Sequence, residues 1–494
     1  MRPEPMTPQS GRLAIWRLGG ILTAVTLAGS GAVQMGGGPV AAMVTGAAVT
    51  LAVACFAVGA PPGRLIFLAI GALQIAWALI AHGGDGIAMI AAAIGRGSFI
   101  IGLFSALLVI RAAAMGSHEI LECGRFLARQ PPGRRYLALT IGGHLFGLIL
   151  MYGSISLLGG LAAESTSRLS DPQLRHHRLR RMLIAIQRGF AATLCWSPLA
   201  FGMVLATTLI PGASWRDALP YALVSAALVM GVGWALDSIF KPRISALPPA
   251  TAPEPGRWLP HLRPLLLLLA LVFAGIEAVH ALTGVGVIGS VMVVVPITAI
   301  VWIYLQTRRL TVAEAAPAAA GAAPQAVGST ALAATARRLG GFVTHDLVGY
   351  RAEVLILFMA AFIGYLGAEL LVPLLAEAGI GLGMLPGWAV IVGLIWLIPA
   401  AGQIGMNPIL VVSLTLPLLP APASVGLTPE AMVVAVTGGW AISGITSPFT
   451  ASVMLVGALS GQSARAAGLR WNGAIALILG VILSAWALLV AAIA

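Results

Sequence analysis

Charge is what this chain has least of. Charged residues fill 9% of its 494 positions, against about 25% in an ordinary soluble domain. A water-facing surface cannot be built from so few. Lysine is almost missing, with Lys241 the only one. Cysteine is scarce too: Cys55, Cys123 and Cys195 show neither metal-ligand spacing nor a disulfide pattern. The sequence has no phosphate loop for a nucleotide, no His-Glu-x-x-His run and no cysteine–histidine constellation. It gives no reason to expect enzyme chemistry, a resident cofactor or a metal centre.

What is there is apolar. Hydrophobic residues make up 59% of the chain, and the mean hydropathy is +0.97. A spanning helix needs about 20 apolar residues. Such stretches recur at 14–36, 39–60, 65–82, 86–115, 182–212, 217–240, 264–282, 286–306, 352–374, 429–460 and 472–493. The expected fold is an all-α polytopic membrane protein. Sixty glycines suit close helix packing in lipid. The net charge of +12 does not imply a nucleic-acid partner. The arginines cluster in short segments between apolar runs, as the positive-inside rule requires, and anionic membrane lipids are sufficient partners for them.

Two further apolar stretches, 136–163 and 386–420, are long for one crossing and short for two. Arg125, Arg129, Arg134 and Arg135 precede the first; Arg168, Arg175, Arg178, Arg180 and Arg181 follow it. Both flanks therefore read as cytoplasmic. Residues 375–428 contain no arginine or lysine, so the second stretch begins and ends on the other side. The arginine pattern predicts about 11 transmembrane helices and two re-entrant hairpins entering from opposite faces, an inverted-topology repeat. It places the chain in the inner (cytoplasmic) membrane as a multi-pass protein, with the N-terminus cytoplasmic and the C-terminus periplasmic or extracellular. The divisions are 1–38 (extension and first helix), 39–240 (first repeat), 241–263 (cytoplasmic linker) and 264–494 (second repeat). The second repeat includes a cytoplasmic loop at 307–350, whose last part reads as an amphipathic interfacial helix.

A short phrase occurs twice, as Thr193-Leu-Cys-Trp-Ser-Pro198 and Gly444-Ile-Thr-Ser-Pro448. Proline removes a backbone donor and clashes with the preceding turn, so each site predicts a broken membrane helix. Paired breaks in two halves point to a secondary transporter with its site between them. Laying His144-Leu-Phe-Gly147 on Gln403-Ile-Gly-Met406 puts hairpin tips at 142–147 and 402–408, with Ser154 opposite Ser413.

This pattern resembles the ion transporter superfamily, and within it the divalent-anion/sodium symporter architecture. The resemblance covers nearly the whole chain in topology and is weak in motif. The family's Ser-Asn-Thr tips are replaced by Gly142-Gly-His-Leu-Phe-Gly147 and Gly402-Gln-Ile-Gly-Met-Asn-Pro408. Trp196-Ser-Pro198 and Thr446-Ser-Pro448 stand where its broken-helix turns fall. The resemblance implies a homodimer working by an elevator-like motion.

A broken helix offers N–H groups on one side of the gap and carbonyls on the other. Ser197, Ser447, Thr446, Asn407, Gln403, His144 and Arg188 are the expected substrate contacts. Thr193, Thr450, Ser154 and Ser413 are expected to serve ion coupling, with Glu277 and His280 as a proton relay at i,i+3 spacing. Sodium could be held by backbone carbonyls near Trp196 and Ile445. The alternative role of the hydroxyls is bonding back to a carbonyl one turn earlier. The expected function is ion-coupled secondary active transport of a small anionic organic solute by alternating access, with Na+ or H+ as the coupling ion. The rivals are an inorganic ion/proton antiporter of the same fold and a protein handling a lipid-linked substrate through the polar region Ser117–Arg135.

Overall fold

The computed structural model describes residues 8–167, 169–240, 258–318, 330–379 and 385–494. All regular structure among them is helical. Most of the expected linker 241–263 and the middle of the expected loop 307–350 lie outside the described residues. The first half of the chain forms α1 (Pro8–Gln34), α2 (Gly38–Ala57), α3 (Pro62–Met115), α4 (His118–Ala128), α5 (Pro132–Leu150), α6 (Gly153–Ser167), α7 (Pro172–Trp196), α8 (Phe201–Leu209) and α9 (Trp215–Ile239). The second forms α10 (Trp258–Thr283), α11 (Val287–Ala318), α12 (Ala331–Gly341), the short α13 (Leu347–Gly349), α14 (Arg351–Glu377), α15 (Gly387–Gln403), α16 (Pro408–Thr415), α17 (Pro429–Thr446), α18 (Ala451–Ser460) and α19 (Trp471–Ile493).

Among the described residues, 10 helical segments are long and apolar enough to cross a membrane. The 54-residue α3 has non-helical backbone at Gly83, with φ 53° and ψ −119°. A Cβ on Gly86 would lie 2.3 Å from the Ala78 carbonyl oxygen, so the chain doubles back there. The two arms of α3 cover both the 65–82 and 86–115 stretches. The helix continues through Gly95-Arg96-Gly97, and the Arg96 guanidinium sits 5.3 Å from the centre of the Tyr365 ring.

The chain forms two compact units, each drawn from both halves: Met1–Ser117 with Leu271–Leu366, and His118–Ala270 with Gly367–Ala494. The divisions fall inside α10 and α14. In the first unit, Trp16 Nε1 donates to the Val58 carbonyl at 2.9 Å. Gln74 Nε2 donates to the Ile363 carbonyl at 3.2 Å. The expected loop 307–350 is partly helical: α11 runs on to Ala318 through a stretch in which alanine, the strongest helix former, recurs at 313, 315, 316 and 318. The expected amphipathic helix is α12, whose Arg338 donates to Gln306 Oε1 at 2.6 Å and to the Ala112 carbonyl at 3.2 Å.

The second unit holds the remaining candidate elements. α5 and α6 form a helical hairpin, as do α15 and α16. Each first arm packs on the helix that precedes a Ser-Pro: α5 on α7, and α15 on α17. The second arms cross over, α6 to α18 and α16 to α8. The two sets thus follow one order and exchange contacts reciprocally.

Candidate functional site

The two Ser-Pro sites are the same break made twice. α7 stops at Trp196, where Ser197 N donates to the Thr193 carbonyl at 3.0 Å. α17 stops at Thr446, where Ser447 N donates to the Ser443 carbonyl at 2.9 Å. The serines share an extended conformation, φ −67° and ψ 130° for Ser197 and φ −69° and ψ 122° for Ser447. Each Oγ accepts from the N–H two residues on, Leu199 at 3.2 Å and Phe449 at 3.3 Å. The chain resumes as α8 and α18 behind Ala200 and Thr450, neither of which caps its helix with a side chain. Both restarting helices therefore begin without a side-chain cap at the N-cap position. The breaks lie side by side: a Cβ on Gly444 would lie 3.0 Å from Leu194 Cδ1.

Glycine fixes how each hairpin meets its broken helix. A Cβ on Gly189 would lie 2.0 Å from the Thr140 oxygen, and one on Gly439 would lie 2.9 Å from the Leu394 oxygen. Both glycines stand eight residues before their serine. Eleven residues beyond Thr140 and Leu394 come the hairpin turns, at Met151 (φ 53°) and Gly405 (φ 92°). This register replaces the one expected from sequence. The second turn does fall within 402–408, but the first is at Met151 and not at 142–147. Gly142, Gly143 and Gly147 make close contacts with Leu127, Ile186 and Thr193 instead, so those glycines serve packing. His144 consequently lies on the arm of α5, opposite Ile398 and not Gln403, and Ser154 does not face Ser413.

At the second break, Ser447 Oγ donates to the Gly402 carbonyl at 2.6 Å. The fully buried Ser443 hydroxyl has no hydrogen-bond partner among the described residues. A Cβ on Gly402 would lie 2.7 Å from Ser443 Oγ and 3.3 Å from Ser447 Oγ, so both hydroxyls face the hairpin. Gln403 Nε2 donates to the Pro399 carbonyl at 3.3 Å, while its Oε1 is buried and unpartnered. Asn407 Oδ1 accepts from Ile409 N at 2.9 Å and caps α16.

At the first break, Trp196 Nε1 donates to His144 Nε2 at 3.2 Å, and His144 Nδ1 lies 3.3 Å from the Gly189 carbonyl. An indole N–H can only donate. The imidazole is therefore neutral, with its proton on Nδ1 and directed at Gly189. The Trp196 carbonyl accepts from Trp215 Nε1 at 2.8 Å.

The other expected residues divide. Thr193 donates to the Phe190 carbonyl at 2.6 Å, Thr446 to Ile442 at 2.7 Å, Thr450 to Ser447 at 2.8 Å and Ser154 to Met151 at 2.8 Å. Ser413 is buried on α16. Arg188 lies nine residues before Ser197, about 13 Å along the helix. It donates to Asn472 Oδ1 at 3.1 Å, the Tyr136 hydroxyl at 3.1 Å and the Gly233 carbonyl at 3.4 Å. Glu277 and His280 are not in the unit that holds the breaks, and His280 Nδ1 lies 2.7 Å from the Val285 carbonyl. Sequence reasoning missed Ser443 and Trp196 as side chains of the site, and Gly189, Gly402 and Gly439 as its supports. Ser443 had a signal: it precedes Ser447 by four residues, as Thr193 precedes Ser197.

No protein-family model matches the chain, and no curated protein matches it. Solved structures do. The YdaH transporter of Alcanivorax borkumensis, described as having an unusual topology, is 16% identical with a TM-score of 0.55, over 86% of this chain and 98% of that one. MtrF of Neisseria gonorrhoeae, described as illuminating a class of antimetabolite efflux pumps, is 15% identical with a TM-score of 0.51, over 86% of this chain and 94% of that one. The fold is that of membrane transporters.

Proposed function

We propose that the chain is a secondary active transporter that carries a small anionic organic solute by alternating access. The observation that carries this reading is the pair of matched Ser-Pro breaks, each docked on its own helical hairpin. Uncapped helix starts at Ala200 and Thr450 favour an anion without a charged side chain. The reciprocal contacts of the hairpins and half-helices support an inverted repeat with eleven crossings, of the kind the ion transporter superfamily uses. YdaH is a transporter and MtrF an efflux pump, which supports the same class.

Sodium is the coupling ion in this reading. Its place is the second break, where Ser443 Oγ, Ser447 Oγ and the Gly402 carbonyl gather oxygen atoms at the end of a half-helix. One observation favours a second reading, proton coupling. His144 holds a neutral ring between the hairpin and the first break, and a proton on Nε2 would expel the Trp196 donor.

The test is gradient-driven movement of a panel of small carboxylic acids in proteoliposomes, under a sodium gradient or a pH gradient. Transport that follows the sodium gradient and is lost in Ser447→Ala supports the proposal. Transport that follows pH alone and is lost in His144→Gln supports the second reading. No movement of any acid under either gradient contradicts both.

A further inference from the structure

The start of α7 carries Arg175, Arg178, Arg180 and Arg181, with Arg188 two turns deeper. Among the described residues, Asp237 is the one carboxylate bonded to an arginine of this helix. It takes Arg181 in a two-point pair at 2.9 and 2.6 Å. The helix face turned towards α19 has no such partner. Arg180 lies over the Trp471 ring, 5.5 Å from its centre, and its Nε is buried without a hydrogen bond. Arg188 and Arg470 are both near enough to repel it. Gln187, fully buried and directly before Arg188 in the chain, has an unpartnered Nε2. Its Oε1 accepts from Asn472 Nδ2 at 3.0 Å, and Asn472 Oδ1 accepts from Arg188.

Arg180 thus lies on the Trp471 ring with Arg188 and Arg470 close enough to repel it, two buried N–H donors lack partners, and among the described residues no carboxylate bonds any of the three arginines. Desolvating cations together in this way is costly unless an anion joins them. Guanidinium groups match phosphate oxygens in planar, two-point fashion. Exposure is graded, from an exposed Arg470 through a half-buried Arg180 to Arg188 at 7%. An anion entering from the membrane surface meets these charges in that order. Trp471 stands where an amphipathic ring belongs at the headgroup level.

We infer that Arg470, Arg180 and Arg188, with Gln187 and Trp471, form a recognition site for a phosphate group at the arginine-rich end of α7, separate from the Ser-Pro breaks. The phosphate comes from an anionic phospholipid headgroup or from a soluble phosphate. A zwitterionic choline headgroup is rejected, because its ammonium would meet the same three arginines. The arginines that mark the cytoplasmic side place the site at the leaflet richest in anionic lipid.

Native mass spectrometry of the full-length protein in detergent tests this, with phosphatidylglycerol, phosphatidylcholine and inorganic phosphate as separate additions. The expected result is retention of phosphatidylglycerol over phosphatidylcholine, reduced about tenfold in Arg470→Gln and again in Arg180→Gln. Arg470 is exposed and its side chain makes no hydrogen bond among the described residues, so its variant keeps the fold. Retention of inorganic phosphate without any lipid preference, lost in the same variants, assigns the site to a soluble phosphate. Equal retention of both lipids together with unchanged phosphate binding in both variants overturns the inference.

Discussion

Trp196 donates its indole N–H to His144 Nε2 at 3.2 Å, and that one bond ties the last residue of a broken helix to the arm of the hairpin beneath it. The same tryptophan holds Trp215 through its carbonyl at 2.8 Å. The break is therefore anchored on both sides and is not a loose loop. Trp196→Phe leaves a half-buried imidazole nitrogen without this partner, which costs about 1 kcal/mol. The thermal midpoint in detergent, read at a fixed scan rate, should fall by several degrees. An unchanged midpoint would show that the bond does not form.

The oxygen cluster at the second break makes a sharper case. Ser447→Ala removes the bond to the Gly402 carbonyl, and Ser443→Ala removes a hydroxyl that satisfies nothing in the protein itself. Ser443→Ala should leave thermal stability nearly unchanged, because no partner is orphaned. It should raise the sodium concentration needed for half-maximal transport by about tenfold, equivalent to about 1.4 kcal/mol. Stability loss without any change in sodium dependence would make Ser443 a packing residue.

Glycine positions predict where the fold cannot give. Gly189→Ala drives a methyl group against the Thr140 carbonyl, 2.0 Å away, whereas Gly439→Ala meets the Leu394 oxygen at 2.9 Å. Overpacking of this kind costs about 1–3 kcal/mol or more. Gly189→Ala should fail to give monodisperse protein, Gly439→Ala should give less, and Gly231→Ala, which meets nothing within 4 Å, should behave as wild type. Size-exclusion profiles of the three variants check the order.

Thiol chemistry separates the cysteines. Burial pushes the Cys123 thiol of α4 up to about 12, so it stays protonated and unreactive between about pH 6 and 9. Cys195 is fully buried, while Cys55 is half-buried. Maleimide should modify folded protein at Cys55 alone and all three sites after denaturation. Rapid labelling of Cys123 in folded protein would contradict the packing of α4.

Much of this architecture is legible in the sequence, for a physical reason. Apolar length, arginine placement and Ser-Pro inside an apolar run each respond to one strong force, the exclusion of polar backbone and charge from lipid. The expected stretches accordingly fall on observed helices, and both breaks fall where the prolines stand. The first hairpin turn was not legible. Gly142, Gly143 and Gly147 suggest a tip, but they are spent on close contacts with neighbouring helices. The turn is taken by Met151 at positive φ, a conformation methionine rarely adopts. Nor could the partners of Arg188 be read. Tyr136, Gly233 and Asn472 come from three other elements, and no spacing rule links them. Ser443 was hidden differently, since an unpaired hydroxyl shows itself only once its surroundings are known.

Opposed hairpins are the foundation of the account, and reagent access from the two faces of the membrane measures them directly. Single cysteines at Arg134 and Ser424, both exposed, would be placed in a cysteine-free background and treated with a membrane-impermeant maleimide in intact cells and in inverted vesicles. The account predicts labelling of Ser424→Cys only in cells and of Arg134→Cys only in vesicles. Labelling of both positions from the same face would contradict the inverted halves, and with them the paired breaks as a transport site.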